Sequence, residues 1–364
     1  MTLIRLLVPA CLSAIILFSL TGCDSTEAAA RKAERERKEA EEARMRAAFL
    51  ARVHEAESDA WAVLQPLMQQ AAGYRAEETH GFIGAVFVTE AFYSEALVEE
   101  VRAEGFGQHI SVLTVFDGSP AAAAGLQGGD RLVSVNGVKV PRGQNSAVFA
   151  ARKVKRLLKP GEMNQIEVAR GDEILELEIE AKPSAYYGVV IDASNSVDVH
   201  VDGDVIWLGL ALVEYLDDSE ELPYLCAYAL SKNVMRHSKQ VGRNAFLGQL
   251  LDVAAAAGGV NTGGMFGSMG GAAHAHAFDI ESDLIALYLL ASAGYKFDTY
   301  PEYWDRVIRS QRKNGQLKSK DVERLDKMRS VIASIQSKIE AGEMVYPEEY
   351  LQGDVSELEA KAEG

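Results

Sequence analysis

Three histidines in the second half of the chain are the side chains most suited to binding a metal ion. His274 and His276 flank Ala275 shortly before Asp279, and His237 lies further upstream. Neutral imidazoles and carboxylates are common zinc ligands, so these side chains could form a metal site of their own. Unpaired histidines beside a glycine-rich stretch more often have no such role, and this is our preferred interpretation. We therefore predict no bound metal and no other cofactor.

Cys23 is another residue with chemistry of its own, because the segment before it has the layout of a bacterial export signal. Arg5 supplies a positive charge, residues 6–18 form an apolar run, and two small residues precede the cysteine. The segment resembles a lipoprotein signal peptide spanning residues 1–22, and this resemblance implies that Cys23 is acylated. Acyl chains would anchor the chain to a membrane without a transmembrane helix.

The residue after the cysteine bears on the location of the protein. Asp24 resembles the signal that retains lipoproteins in the inner membrane of enteric bacteria. We expect a membrane lipoprotein that faces the periplasm, with the inner membrane favoured and the outer membrane as the alternative. Once Cys11 is removed and Cys23 carries lipid, Cys226 is the remaining thiol, so no intramolecular disulfide is expected.

The overall composition predicts a globular protein and argues against nucleic acid as a partner. The chain has 364 residues, of which 48% are hydrophobic and 25% charged, enough for two modest cores. Its formal net charge of -16 is unfavourable for an extended phosphate-binding surface, which needs clustered lysines and arginines.

The hydrophobic pattern divides the mature chain into regions of different periodicity. Alternating apolar residues after about residue 95 indicate strands with one embedded helix, whereas the later part is mainly helical. We predict an α+β fold with a small barrel-like domain and a helical domain. The predicted ranges are a helical tether at 23–73, a connecting segment at 74–94, the strand-rich domain at 95–183, the helical domain at 184–350 and a charged tail at 351–364.

One continuous motif, Gly118–Gly137, identifies the strand-rich domain. Ser119-Pro120 would open a short helix that Gly125 ends, and Asn136-Gly137 is typical of a tight hairpin turn. The whole run closely resembles the central motif of bacterial PDZ domains. This resemblance implies that the domain binds peptide C-termini by adding the peptide as a strand to a sheet edge.

The PDZ resemblance also suggests which residues bind the peptide. A loop with alternating glycines upstream of the motif would hold the terminal carboxylate through backbone N–H groups. We place this loop at Gly105, Phe106, Gly107 and Gln108, with Ile110, Val112 and Val148 bordering the groove. For the three apolar residues, packing in the domain core is an equally good interpretation. The expected partners are protein C-termini or unfolded envelope polypeptides.

The helical domain resembles the HtpX- and BepA-type zinc metallopeptidases, whose exported members also carry a PDZ domain. The resemblance covers most of residues 184–310, and it implies a zincin-like fold. The matching segments occur in the family's order: 197–203, 216–222, 236–238, 260–264, 281–283, 293–295 and 303–304.

The residues that would bind zinc in that family are replaced in this chain. The family's H-E-x-x-H motif supplies two histidine ligands and a general base, and a later glutamate supplies the third ligand. Here Tyr228, Ala229 and Lys232 occupy the motif, and Asp279 occupies the third-ligand position. The resemblance therefore predicts a pseudopeptidase. We further hypothesise that the ammonium group of Lys232 replaces the metal opposite Asp279; the alternative is that both side chains point to solvent.

These observations favour a non-catalytic protein of the cell envelope. Its PDZ domain would bind peptides, and its degenerate peptidase domain would serve as a scaffold or regulator. Two alternatives remain at this stage: an active metalloendopeptidase of envelope quality control with a non-standard metal site, and a purely structural tether that binds no peptide.

Overall fold

The computed structural model describes residues 10–74, 79–140, 154, 156–185, 187–193, 199–216, 220–235 and 275–347, with side chains described from residue 27 onward. The chain divides into two compact units, residues 1–52 and 53–364. Strands and helices are both prominent, so the predicted α+β class is confirmed.

The described part of the first unit is helical. Helix α1 spans Ala10–Ala71, and its residues 27–42 are exposed. Alanine, glutamate, lysine and arginine dominate this stretch, and they are strong helix formers. Ion pairs spaced four residues apart, such as Glu27–Arg31 and Arg35–Glu39, add support along the helix surface. No helix in the described ranges is both long and apolar enough to cross a membrane.

The second unit begins within α1, where the helix becomes apolar. Trp61 stacks on Phe82 with 6.1 Å between ring centroids. The carbonyl of Met68 accepts a hydrogen bond from the Ala185 N–H at 2.9 Å. A short 3₁₀ turn, Ala72–Tyr74, follows the helix.

The described residues of the first half of the second unit include eight strands. They are β1 (His80–Phe82), β2 (Ala85–Val88), β3 (Ser111–Val115), β4 (Arg131–Val135), β5 (Val138–Lys139), β6 (Met163–Arg170), β7 (Glu173–Glu180) and β8 (Lys182–Ser184). The main sheet has the order β2-β3-β4-β6-β7 with β5 beside β4, and β1 pairs with β8. All these pairings are antiparallel. The sheet includes residues from 85 onward, so it extends beyond the predicted domain start at residue 95.

The central motif folds as its residue types predict. Helix α3 (Pro120–Ala123) begins after Ser119, whose Oγ accepts a hydrogen bond from the Ala122 N–H at 3.1 Å. Asn136 has a φ of 50° between β4 and β5, as a tight hairpin turn requires. A further short helix, α2 (Val98–Ala103), lies in the long connection between β2 and β3.

The remainder of the second unit is mainly helical. A small sheet, formed by β9 (Gly188–Asp192), β10 (Val199–Val201) and β11 (Val205–Gly209), has the order β10-β11-β9, with β9 and β11 parallel. Five described helices follow: α4 (Leu210–Leu216), α5 (Leu222–Val234), α6 (Ala275–Ser292), α7 (Tyr300–Ser310) and α8 (Ser319–Glu340). Helix α6 packs against both α5 and α8, which places polar residues of α5 opposite those of α6.

Candidate functional site

The loop predicted to bind a peptide carboxylate uses part of its backbone internally. The Gly105 N–H donates to the carbonyl of Arg102 and the Phe106 N–H to that of Val101, both at 3.0 Å. The Phe106 side chain is buried, and its ring lies edge-on to His54 at 6.1 Å. These two N–H groups are therefore not free to bind a carboxylate, contrary to the expectation. Gly107 uses its carbonyl to accept from the Glu90 N–H, and Gln108 is exposed.

The apolar residues predicted to border the groove have a packing role where the structure describes them. Ile110 and Val112 are buried in the core cluster of the sheet, together with Leu132 and Val168. Burial of this kind agrees with the core-packing interpretation. Val148 lies outside the described residues.

A different segment, Ile83-Gly84, has the backbone arrangement of an anion-binding site. Its carbonyls are occupied: that of Gly84 accepts from the Phe116 N–H at 2.9 Å and from Ser119 Oγ at 3.3 Å, and that of Ile83 accepts from the Ala121 N–H at 2.9 Å. In the described part of the chain, the N–H groups of Ile83 and Gly84 have no acceptor. Successive buried N–H groups without partners are costly unless an acceptor arrives, and they suit a carboxylate.

The conformation of this segment depends on glycine. Gly84 has a φ of +85°, which side-chain-bearing residues rarely adopt. A Cβ atom at Gly84 would lie 2.1 Å from the Cβ of Ser119. This segment was not among the predicted binding residues, although the sequence carries a signal for it: Gly81 and Gly84 flank two apolar residues directly before strand β2.

The two edges of the main sheet differ in their side chains. Strand β7 forms one edge and carries glutamates at positions 173, 176, 178 and 180, which disfavour pairing with another strand. Strand β2 forms the other edge and contains only apolar residues, Ala85-Val86-Phe87-Val88. Among the described strands, only β3 pairs with β2. The side chain of Ala85 is only 2% exposed because it packs in the core of the sheet.

A second polar cluster, formed by Tyr228, Lys232 and Asp279, lies between α5 and α6 and contains residues predicted to replace zinc ligands. Tyr228 and Lys232 are one helical turn apart on α5, and both bind Asp279 of α6. The Tyr228 hydroxyl donates to Asp279 Oδ1 at 2.7 Å. Lys232 Nζ donates to the same oxygen at 3.2 Å and to Tyr228 Oη at 3.1 Å. The predicted contact between Lys232 and Asp279 is thus present, and Ala229 is fully buried beside it.

The electrostatics of this cluster keep the phenol protonated. Burial, reinforced by the nearby Asp279 carboxylate, raises the pKa of Tyr228 well above its ordinary value of 10.0. A protonated hydroxyl is what the short hydrogen bond to Asp279 requires. The ammonium of Lys232 also lies 4.8 Å from the centroid of the Tyr228 ring, a favourable cation–π distance.

A deeper ion pair lies beneath the same tyrosine. Arg324 of α8 donates two hydrogen bonds to Asp283, at 2.6 and 3.1 Å, and Tyr300 donates a third at 3.1 Å. Burial raises the pKa of Asp283 to about 6, so the carboxylate is still ionised at neutral pH beside the guanidinium. The Arg324 guanidinium stacks 4.7 Å from the Trp304 ring, which in turn lies 4.6 Å from Tyr228.

These residues do not fit the zinc ion that the peptidase resemblance implies. A zinc ligand must offer a lone pair, but Lys232 is a cation and Tyr228 keeps its proton. Asp279 is the one anionic group of the cluster, and the two donors share a single oxygen of it. Within the described ranges, no group of three or more histidine, cysteine or acidic side chains could hold a metal.

The structure places only part of the alternative histidine site. His276 lies at the start of α6, with its Nε2 3.8 Å from Glu323 Oε2, too far for a hydrogen bond. His237 and His274 lie outside the described residues. The geometry of a site formed by the three histidines is thus not defined.

Comparison with known proteins identifies a family for part of the strand-rich half of the second unit. A family model described as "PDZ domain" matches residues 111–157. No match was found among curated proteins. Solved structures similar to part of this chain include the HtrA-type protease AlgW with a decapeptide, 25% identical over 29% of this chain and 30% of that chain, with a TM-score of 0.21. The HtrA3 PDZ domain bound to a phage-derived ligand is 26% identical over 29% of this chain and 88% of that chain, with a TM-score of 0.22. The present chain thus contains a PDZ domain.

Proposed function

We propose that this protein is a non-catalytic lipoprotein of the cell envelope that binds protein C-termini or exposed peptides through its PDZ domain. The helical region acts as a pseudopeptidase scaffold or regulator beside it. Acylated Cys23 holds the protein at the periplasmic side of a membrane, with the inner membrane favoured by Asp24.

The observation that carries the peptide-binding part is the pair of N–H groups at Ile83 and Gly84, for which the described residues supply no acceptor. They lie directly before the uncharged edge strand β2. A peptide that pairs with β2 in the antiparallel sense places its terminal carboxylate at the start of this strand, next to these donors. Two charge-assisted hydrogen bonds from backbone N–H groups then fix the end of the peptide.

The non-catalytic part rests on the Tyr228–Lys232–Asp279 cluster. Hydrolysis by a zinc peptidase needs a metal-activated water and a carboxylate that accepts its proton. In this cluster both α5 side chains are hydrogen-bond donors, and Ala229 has no proton-transfer group. The arrangement supports a structural role for the cluster.

A peptide array tests the binding function. The full chain is probed with peptides that have free C-terminal carboxylates and with the same peptides amidated at the C-terminus. We expect binding to the free acids and at least about a tenfold loss on amidation, because the terminal charge and one acceptor are removed. Absence of binding to any peptide, or equal binding of both forms, would contradict the proposal.

Hydrogen exchange locates the binding edge with a control in the same sheet. A bound peptide should slow exchange of amides in residues 83–88, while the amides of β7 keep their rates, because the glutamates of β7 disfavour strand addition. Protection of β7 in place of residues 83–88 would contradict the assignment of the edge.

The membrane part has its own test. The natural chain and a Cys23→Ala variant are expressed in a bacterial host, labelled with a fatty-acid probe and separated by membrane fractionation. We expect the label and membrane association only for the natural chain. Label on the variant would contradict Cys23 as the site of acylation.

A further inference from the structure

Two side chains of α5, the phenol of Tyr228 and the ammonium of Lys232, converge on one carboxylate oxygen of α6. Lys232 Nζ and Tyr228 Oη lie 3.1 Å apart, and both lie within 3.2 Å of Asp279 Oδ1. We infer that Lys232 is a fixed internal cation, which neutralises Asp279, joins α5 to α6 and excludes a divalent metal from this position. The inference deepens the pseudopeptidase half of the proposed function and rests on it.

The hydrogen-bond directions support this inference. Lys232 can only donate, and Tyr228 donates its one proton to Asp279 while it accepts from Lys232. The three groups therefore form a chain of donors that ends on a single carboxylate. A metal ion at the same point would face an ammonium group and a protonated phenol in place of lone pairs.

The surroundings add positive charge. The Arg324 guanidinium lies 5.6 Å from the Tyr228 ring, on the element α8 that packs against α6. Its charge is balanced by Asp283, just as that of Lys232 is balanced by Asp279. With both carboxylates already paired, a divalent cation would add uncompensated charge to the cluster.

The ion pair at Asp279 is partly accessible, which limits its expected strength. The Lys232 side chain is 29% exposed and that of Asp279 is 33% exposed. Solvent screens a pair of this kind more than a buried one, so its loss should be moderate.

A double-mutant cycle tests whether the two charges act together. Lys232→Met and Asp279→Asn are each expected to lower the Tm of the full chain by about 2–5 °C, and the double variant by less than the sum. Lys327→Met, which removes an exposed cation paired with Glu323, is the matched control and should change the Tm by less than about 1 °C. Unchanged Tm values for the single variants, or strictly additive losses, would overturn the inference.

Zinc titration tests the exclusion of metal without reference to activity. Zinc bound to the purified full chain is measured by elemental analysis, and the Tm is recorded with and without zinc. We expect no stoichiometric zinc and no Tm shift for the natural chain. In a Tyr228→His, Lys232→His variant, two imidazoles one turn apart face Asp279, and we expect about one zinc per chain with a raised Tm.

The outcomes separate this inference from the proposed function. About one zinc per natural chain would overturn the inference that Lys232 excludes a metal. A folded double-histidine variant that binds no zinc would also overturn it, because removing Lys232 would then not have opened the position to a divalent cation. Zinc binding by the natural chain without chelator-sensitive proteolysis leaves the non-catalytic function intact, whereas such proteolysis would overturn both. Peptide binding by the PDZ domain is measured independently in every case.

Discussion

The segment before β2 and the cluster between α5 and α6 differ in whether their polar groups have hydrogen-bond partners within the described residues. At β2, the carbonyls of Ile83 and Gly84 are paired, while their N–H groups lack acceptors in the described part of the chain. Between the helices, Tyr228, Lys232 and Asp279 satisfy one another. An open set of donors can receive a ligand, whereas a closed network has little left to offer one. Among the described residues, the PDZ domain thus has donors available for a ligand, while the three side chains of the helical cluster are engaged with one another.

Burial of acidic groups shows the same contrast. Asp283 is completely buried, and Arg324 and Tyr300 supply its partners. Glu57 of α1 is also buried, near Tyr93 in the connection between β2 and β3, and burial alone raises its pKa to about 7. Arg324 therefore compensates the buried charge of Asp283, whereas no cation among the described residues is paired with Glu57.

The largest expected effect comes from breaking the buried ion pair between Arg324 and Asp283 beneath Tyr228. Arg324→Met leaves Asp283 as a buried carboxylate without a cation, and we expect a loss of about 3–5 kcal/mol in the free energy of unfolding. Urea denaturation of the full chain measures it. Arg329→Met, which removes an exposed ion pair with Asp326, is the control and should cost less than about 1 kcal/mol. Equal losses of stability for Arg324→Met and Arg329→Met would show that the buried ion pair contributes no more than an exposed one.

A smaller effect should follow from changing the open segment. Gly84→Ala combines an unfavourable positive φ with a clash against Ser119, and we expect a loss of about 2–4 kcal/mol. Gly105→Ala shares the positive φ but meets no atom within 4 Å, so it should cost only about 1–2 kcal/mol. Thermal denaturation separates the two. A Gly84→Ala variant as stable as Gly105→Ala would show that the segment can move away from Ser119.

The smallest effect concerns the uncompensated Glu57. Its folded-state pKa of about 7 exceeds the ordinary value of 4.5, so its contribution to stability is full below about pH 4.5 and is lost as the pH rises through 7. We expect Glu57→Gln to remove about 1–3 kcal/mol of the stability difference between pH 5 and pH 8. Glu55→Gln, on an exposed position of the same helix, is the control. Identical pH profiles for natural chain and Glu57→Gln would contradict an uncompensated burial.

Local motifs were predictable because their geometry depends on neighbouring residues. Ser119 caps α3, and Asn136 adopts the turn conformation that the dipeptide Asn136-Gly137 indicates. The contact between Lys232 and Asp279 was also predicted, though from resemblance to a family and not from local pattern. The zincin-like fold of the helical region stays a prediction, as does acylation of Cys23.

The remaining features depend on contacts between residues far apart in the chain. The Gly84 site forms only when Ser119 packs against Gly84, 35 residues earlier in the chain, and no local pattern specifies that approach. The predicted loop at Gly105–Gln108 had suitable glycines, but its first two N–H groups bind α2 carbonyls. Likewise, Arg324 and Trp304 meet under Tyr228 only through the packing of α7 and α8 on the rest of the helical region.

The sequence by itself determined the α+β class and the PDZ motif, because these follow from hydrophobic periodicity and local turn chemistry. The altered zinc site at positions 228, 229, 232 and 279 stays a prediction that rests on resemblance to a family. Only the tertiary structure decided which donors are left open and which are closed. Whether an N–H group or an ammonium has a partner depends on which distant segments pack against it, and that is a property of the folded chain.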